Sequence, residues 1–215
     1  MKNNSGFALV FLAASFLSAC ATTPFDYSNY RQARPKTILV LPPINKSTEV
    51  LASYSYLSTV TQPLAEKGYY VFPVAVIDQM MKENGLPTPG EMHQASLKKI
   101  AEIINPDAVL YITLEEYGSK YHVINSSTQV GLSARLVSTR DGSALWTGKS
   151  HVTVNPSTDT RAGLFGALLA AAIHQAINSS TDAAHPVCRQ ANHALFNSHG
   201  HGLLYGPYHK EYLKD

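Results

Sequence analysis

Thr37-Ile38-Leu39-Val40-Leu41, stopped at once by Pro42-Pro43, is a short, largely apolar run rich in β-branched residues, with no polar residue after Thr37. A strand with one wet face alternates apolar and polar residues; this one does not, so it has to be buried on both faces, as strands of a helix-covered parallel sheet are. The residues that follow supply the crossovers. Leu57, Val60 and Leu64 at helical spacing lead to Gly68, a natural helix terminator. Pro63 inside that segment predicts either a kink or the true start of the helix. Residues 69–74 are rich in β-formers and predict a second strand, followed by a short helix through Met80 and Met81 to Gly85. Leu86-Pro87-Thr88-Pro89-Gly90 reads as a loop. Leu97, Ile100, Ala101 and Ile104 mark a further helix that ends at Asn105-Pro106, before a buried strand over residues 108–114. The β-α-β-α-β order predicts parallel pairing through helical crossovers.

The second half has a different period. Val130, Leu132, Ala134 and Leu136 alternate with Gln129, Gly131, Ser133 and Arg135, the pattern of a half-buried strand. Arg140-Asp141-Gly142-Ser143 supplies a hairpin turn, and Trp146, Gly148, Ser150, Val152 and Val154 share one face of the returning strand. The fold class expected is α/β: a mixed sheet of about five strands, a parallel part plus an antiparallel hairpin, with helices packed on it. Residues 162–173 are wholly apolar or glycine and predict a helix buried either in the body or against a partner. Its small residues Gly163, Gly166, Ala167, Ala170 and Ala171 allow close backbone approach, and a homodimer through them is the expected assembly. Residues 182–196 predict another helix, with Pro186 in its first turn and Val187, Cys188, Ala191 and Leu195 on one side. Leu203-Leu204-Tyr205-Gly206-Pro207-Tyr208 is too apolar for a free tail and should pack on the body or a partner. Tyr54 and Tyr56 ahead of the first long helix, and Tyr117 and Tyr121 beside a strand end, are either interface or ordinary core tyrosines.

At the start of the chain, an apolar run over residues 7–17 follows Lys2 and ends in Leu17-Ser18-Ala19-Cys20. The run is well short of the roughly 20 residues that cross a bilayer and has the form of a bacterial lipoprotein signal. Residues 1–19 are expected to be removed and the Cys20 thiol to carry a diacylglyceryl group. Two or three acyl chains hold a protein stably where one does not. Ala21 stands where an Asp would direct retention at the inner membrane, so the expected location is the outer membrane, facing the periplasm. Residues 20–36, with Pro24 and Pro35, read as a lipidated tether that could extend roughly 50 Å, and residues 37–215 as one α/β domain with C-terminal helices and tail.

Chemistry is sparse. The formal charge of +2 includes Lys2, so the mature chain is close to neutral and nucleic acid is not an expected partner. Of two cysteines, Cys20 is taken by lipid and Cys188 is left without a disulfide partner; a buried, inert thiol is the expected state. Phosphate-loop, nucleophile-elbow, zinc-helix and Cys-x-x-Cys motifs do not occur. Six of the nine histidines follow Ile173, and His199-Gly200-His201 would place two imidazoles on one face if extended. A metal at His199 and His201 is therefore an alternative to a plain terminal segment; no other cofactor is expected beyond the covalent lipid.

The lipobox, Leu41-Pro42-Pro43-Ile44-Asn45, Asn105-Pro106-Asp107-Ala108-Val109-Leu110-Tyr111 and Asp141-Gly142-Ser143-Ala144-Leu145-Trp146 occur in an order that resembles the lipoprotein family known from a meningococcal vaccine candidate. That family is similar in fold to the amino-terminal domain of TolB and to accessory lipoproteins of transport systems. The resemblance implies a non-enzymatic outer-membrane accessory that works with other envelope lipoproteins or transport components, and it transfers no catalytic residue. The expected function is thus an adaptor of an envelope transport or secretion system; the alternative is a periplasmic ligand or metal binder using the His-rich C-terminal segment.

Overall fold

The computed structural model describes residues 25–121, 126–154 and 182–214. In chain order these form α1 (Ser28–Ala33), β1 (Thr37–Val40), β2 (Ile44–Asn45), α2 (Ala52–Glu66), β3 (Tyr70–Val71), α3 (Val74–Glu83), α4 (Pro89–His93) and α5 (Leu97–Ile103). They continue with β4 (Ala108–Tyr121), β5 (Ser126–Ser138), β6 (Ala144–Val154) and α6 (Ala184–Phe196). Cys20 and the Gly163, Gly166, Ala167, Ala170 and Ala171 stripe lie outside the described residues.

The sheet is mixed, as its two periodicities predict. Its order is β3-β1-β4-β5-β6, with β2 pairing alongside β4. β1 runs parallel to β3 and β4, and β2 parallel to β4. β4, β5 and β6 form an antiparallel meander. Ile38, Leu39 and Val40 of β1 are completely buried because both faces of that strand are covered. One face carries Ile38, Val40, Leu110, Ile112, Leu132, Leu136 and Trp146 against Tyr56, Val60 and Leu64 of α2 and Val187, Cys188, Ala191 and Leu195 of α6. The other carries Leu39, Leu41 and Val109 against Ile77 and Met81 of α3, Met92 of α4 and Ile100 of α5.

Several local expectations change. Of residues 20–36, expected as a tether, residues 28–33 are helical and Tyr30 is buried in the main core. The loop expected over residues 86–90 gives way to a short helix from Pro89. Thr88 and Glu91 form a reciprocal capping box, Thr88 N–H to Glu91 Oε2 at 2.9 Å and Glu91 N–H to Thr88 Oγ1 at 3.3 Å, with Pro89 as the first helical residue of α4. The strand expected over 69–74 is reduced to Tyr70–Val71, since Pro73 stops pairing and caps α3. Tyr54 and Tyr56 lie inside α2, and Pro63 falls in its last turn instead of marking its start.

β4 does not end at Leu114. Glu115 is the extra residue of a bulge between the pairs Leu114–Leu132 and Glu116–Gly131. The bulge moves the inward positions from even to odd numbers, so Tyr117 is buried where unbroken alternation would expose it. A second irregularity, between Leu136–Trp146 and Val137–Ala144, lets consecutive residues Leu145 and Trp146 both enter the core.

The Asn105-Pro106-Asp107 stretch fastens β4 to β1. Asn105 takes φ 55, a left-handed conformation that Asn tolerates, and ends α5. The Asp107 carboxylate then accepts from Lys36 N–H at 2.8 Å, Thr37 N–H at 3.0 Å and Thr37 Oγ1 at 3.2 Å, while Asp107 N–H donates to Thr37 Oγ1 at 2.8 Å. Asp107→Ala removes three acceptor contacts of one charged group at the entry to a fully buried strand. It is expected to cost on the order of 2 kcal/mol, measured by urea unfolding.

The C-terminal segment packs on the body. Gly206 N–H donates to Lys67 C=O at 2.8 Å and Tyr208 N–H to Gly68 C=O at 3.1 Å. The approach needs glycine on both sides: a Cβ on Gly206 would stand 2.3 Å from the Gly68 oxygen, and Gly68 itself takes φ 86.

Candidate functional site

The helical layers do not cover the sheet equally. Among the described residues, the core under α3, α4 and α5 takes strand residues only from β1, its continuation Leu41 and β4, and no described helix covers β5 and β6 on that side. Its outward side chains are ordered by the strand register into rows. Tyr111, Arg135 and Thr147 stand opposite one another across β4, β5 and β6; Thr113, Ser133 and Lys149 form the next row; Glu116, Gly131 and His151 the third. The first two rows line much of an open cleft of about 730 Å³, with His93 of α4 at one wall and Phe25, Ser198 and His201 at another; the third row lies outside it.

The rows carry a charge gradient. In the first, the Arg135 guanidinium lies 5.4 Å from the centre of the Tyr111 ring, which His93 meets edge-on at 5.3 Å. His93 Nε2 bonds to the Pro42 carbonyl at 2.9 Å. Burial, and secondarily the Arg135 charge, hold His93 below the ordinary imidazole range, against the opposing effect of its bond to Pro42. Burial raises the Tyr111 phenol. Toward the other end, Glu115 accepts from Lys46 at 3.0 Å and Ser133 at 2.8 Å, and these two bonds lower its pKa. Glu116 lies 3.7 Å from His151. Arg135 and Lys149 are both exposed and, as diagonal neighbours, roughly 7–8 Å apart at the backbone. Two cations among the hydroxyls of Thr113, Ser133 and Thr147 offer charge-assisted donors to an acidic or carbonyl-rich surface.

A Ser–His pair elsewhere is not built for nucleophilic catalysis. Ser58 Oγ lies 3.0 Å from His185 Nε2, but its single proton is donated to Ser55 C=O at 2.7 Å. With that proton engaged, Ser58 Oγ faces His185 as an acceptor, the reverse of what a nucleophile–base pair needs. Beside it, the Asp182 carboxylate is held by the hydroxyls of Ser55 and Tyr117 and by Ala184 N–H at 3.0 Å, which fixes the start of α6 against α2 and β4.

Cys188 is buried, and its thiol is pushed up to about 12, chiefly by burial and then by the Asp182 charge. With the thiolate so disfavoured, the folded protein carrying Cys20→Ser is expected to leave Ellman's reagent unconsumed at neutral pH and to react with one equivalent in denaturant. Rapid reaction in the native state would contradict the packing of α6.

The sequence-based metal candidates are not joined by further ligands. His199 is exposed, and His201 contributes its backbone carbonyl to Trp146 Nε1 at 2.8 Å. Among the described residues no three His, Cys, Asp or Glu side chains converge as metal ligands. Tyr56 and Tyr117 belong to the core, whereas Tyr54 is half-exposed and accepts from Lys82 Nζ at 2.8 Å. The rows of the open face were missed as a site. Their signal was present in the polar half of the alternation at 129–135 and 147–153, which by itself says only that the side is wet.

The family description "Putative lipoprotein GNA1162-like" matches residues 25–208, a span that includes every strand and helix described above. The chain belongs to this family. A meningococcal relative named "Putative lipoprotein NMB1124/NMB1162", from Neisseria meningitidis serogroup B, is 40% identical over 195 residues, covering 89% of this chain and 90% of that one. The crystal structure of lipoprotein GNA1162 from Neisseria meningitidis aligns with a TM-score of 0.56 at 40% identity, over 67% of this chain and 99% of the other. The LpoB C-terminal domain from Salmonella enterica gives a TM-score of 0.41 at 21% identity, over 66% of this chain and 92% of that domain. The family match and the meningococcal relatives support the lipoprotein part of the resemblance seen in sequence; a likeness to TolB is not among what they show.

Proposed function

We propose that this GNA1162-like lipoprotein is a non-enzymatic accessory of the outer membrane, anchored by lipid on Cys20, with its body facing the periplasm and docking a component of an envelope transport or secretion system. The observation that carries the reading is the open face of the β4-β5-β6 meander. Helices bury the parallel half of that side and leave the antiparallel half as ordered rows of cations and hydroxyls. Among the described residues nothing covers this chemically graded sheet face, which leaves it available to another protein. The lipobox and the family's lipoprotein description support the lipid anchor.

The test is a crosslinked pull-down of the lipidated protein from native envelopes, with bound proteins identified by mass spectrometry. Arg135→Glu/Lys149→Glu and Cys20→Ala serve as comparisons. Both cations are exposed, so the double variant should fold, and it is expected to lose the specifically recovered envelope proteins. Identical recovery with the wild type and the double variant would end the reading of this face.

A further inference from the structure

The position of α1 limits how far the body can stand from the bilayer, an argument that rests on the lipid at Cys20 proposed above. Only five residue steps separate Cys20 from Phe25, at most about 18 Å of extended chain. By Phe25 the chain is already attached: its N–H lies 3.5 Å from the Gly200 carbonyl, and Tyr27 Oη donates to the Gly202 carbonyl at 2.5 Å. A tether of roughly 50 Å is thereby replaced by one comparable to a single leaflet in length.

The surface next to this attachment has the chemistry of a membrane interface. The end of α1 and the C-terminal segment enclose a cleft of about 320 Å³ that joins Arg31 and Arg34 to Tyr205, Tyr212 and Leu213. Both arginines are exposed, and Leu213 is 62% exposed although apolar. Lys67 Nζ lies 4.4 Å over the Tyr205 ring, adding a further cation behind the arginines. Cations with tyrosines and a protruding leucine are the side chains that settle at the headgroup layer, where the charge meets phosphate and the apolar atoms leave water. Another exposed apolar groove, between α3 and α5 and including Ile103, lies across the sheet from α1 and has no such link to the anchor.

We propose that the end of α1 and residues 204–213 form a membrane-docking surface. Arg31 and Arg34 hold the phosphates of anionic phospholipid, and Tyr212 and Leu213 enter the interfacial layer of the bilayer that receives the lipid of Cys20. The body is pressed onto its own membrane on this side, which orients the open meander face relative to the bilayer.

Two arms test the surface. In the first, the lipidated chain is reconstituted in phosphatidylethanolamine–phosphatidylglycerol vesicles containing brominated phospholipid, with Leu213→Trp as probe and Ile103→Trp as control; the buried Trp146 is the common background. Quenching at position 213 and not at 103 is expected, and equal response at the two positions would overturn the proposal. In the second, the full chain with Cys20→Ser is sedimented with the same vesicles, with and without Arg31→Glu/Arg34→Glu, folding being checked by circular dichroism. Loss of two basic contacts is expected to weaken partitioning roughly thirtyfold, and unchanged partitioning would overturn it. A missing acyl mass on Cys20 would sink the anchor alone, because the second arm does not depend on it.

Discussion

Trp146→Ala is expected to lower the unfolding free energy by about 3–5 kcal/mol, among the largest effects of any single replacement in this fold. The indole is completely buried, packs tilted on Phe196 at 5.8 Å between ring centres and donates from Nε1 to the His201 carbonyl at 2.8 Å. It therefore ties the outermost strand β6 both to α6 and to the segment beyond it. Truncation leaves a large void under α6 and a carbonyl without its donor. The ring's seat is made by Gly148, two residues on along the same face, where any Cβ would stand 2.4 Å from Cζ2 and 2.7 Å from Cη2 of the indole. Gly148→Ala should accordingly cost about 1–3 kcal/mol by overpacking. The two changes share one volume, so Trp146→Ala/Gly148→Ala should cost clearly less than their sum. Trp146 is the only tryptophan, so the measurement is urea unfolding followed by far-ultraviolet circular dichroism. A loss below about 1 kcal/mol for Trp146→Ala would mean the indole is not the keystone of this packing.

The second large effect is expected at Asn192, a fully buried amide on α6. Its Oδ1 accepts from Tyr56 Oη at 2.6 Å and its Nδ2 donates to Thr59 Oγ1 at 3.0 Å, while Thr59 Oγ1 donates to the Tyr56 carbonyl at 2.7 Å. Every group in this chain of bonds has a partner, and burial, reinforced by Cys188, keeps the Tyr56 phenol far above its ordinary range. Asn192→Leu preserves apolar volume but strands the Tyr56 hydroxyl away from water, and about 3 kcal/mol should be lost. Tyr56→Phe/Asn192→Leu removes donor and acceptor together and should recover part of that loss. Strict additivity of the two single changes in a double-mutant cycle would show that the network carries no coupling.

The two long helices that meet at this network were visible in sequence for a physical reason. Leu57, Val60 and Leu64, and Val187, Cys188, Ala191 and Leu195, are local periodicities: a helix turns its side chains at a fixed angle whatever lies opposite. β1 was visible because a strand buried on both faces can carry no polar residue. The capping box that opens α4 was also legible, as Thr88-Pro89 followed by Glu91, but the concentration of proline and glycine at 87–90 outweighed it. The bulge at Glu115 was not legible, since two adjacent glutamates announce only that a strand nears water. It is the pairing with Gly131 that keeps β4 running to Tyr121 and turns Tyr117 inward.

The candidate face shows the same division. Ser133 and Arg135, Thr147 and Lys149 were each identifiable as the wet side of a strand, but their grouping into rows depends on registers between residues 12 to 24 positions apart. Whether that wet side meets solvent or a helix depends on how far α3, α4 and α5 extend across the sheet, which no window of sequence contains. By itself the sequence determined the α/β class, the mixed sheet and the lipoprotein kinship, because periodicity, turn residues and short motifs act within a few residues of themselves. Only the tertiary structure decided which face the described helices leave open, that the chain is attached to the body from Phe25 onward, and that the C-terminal segment closes over Gly68. Those depend on distant segments competing to bury the same apolar surface.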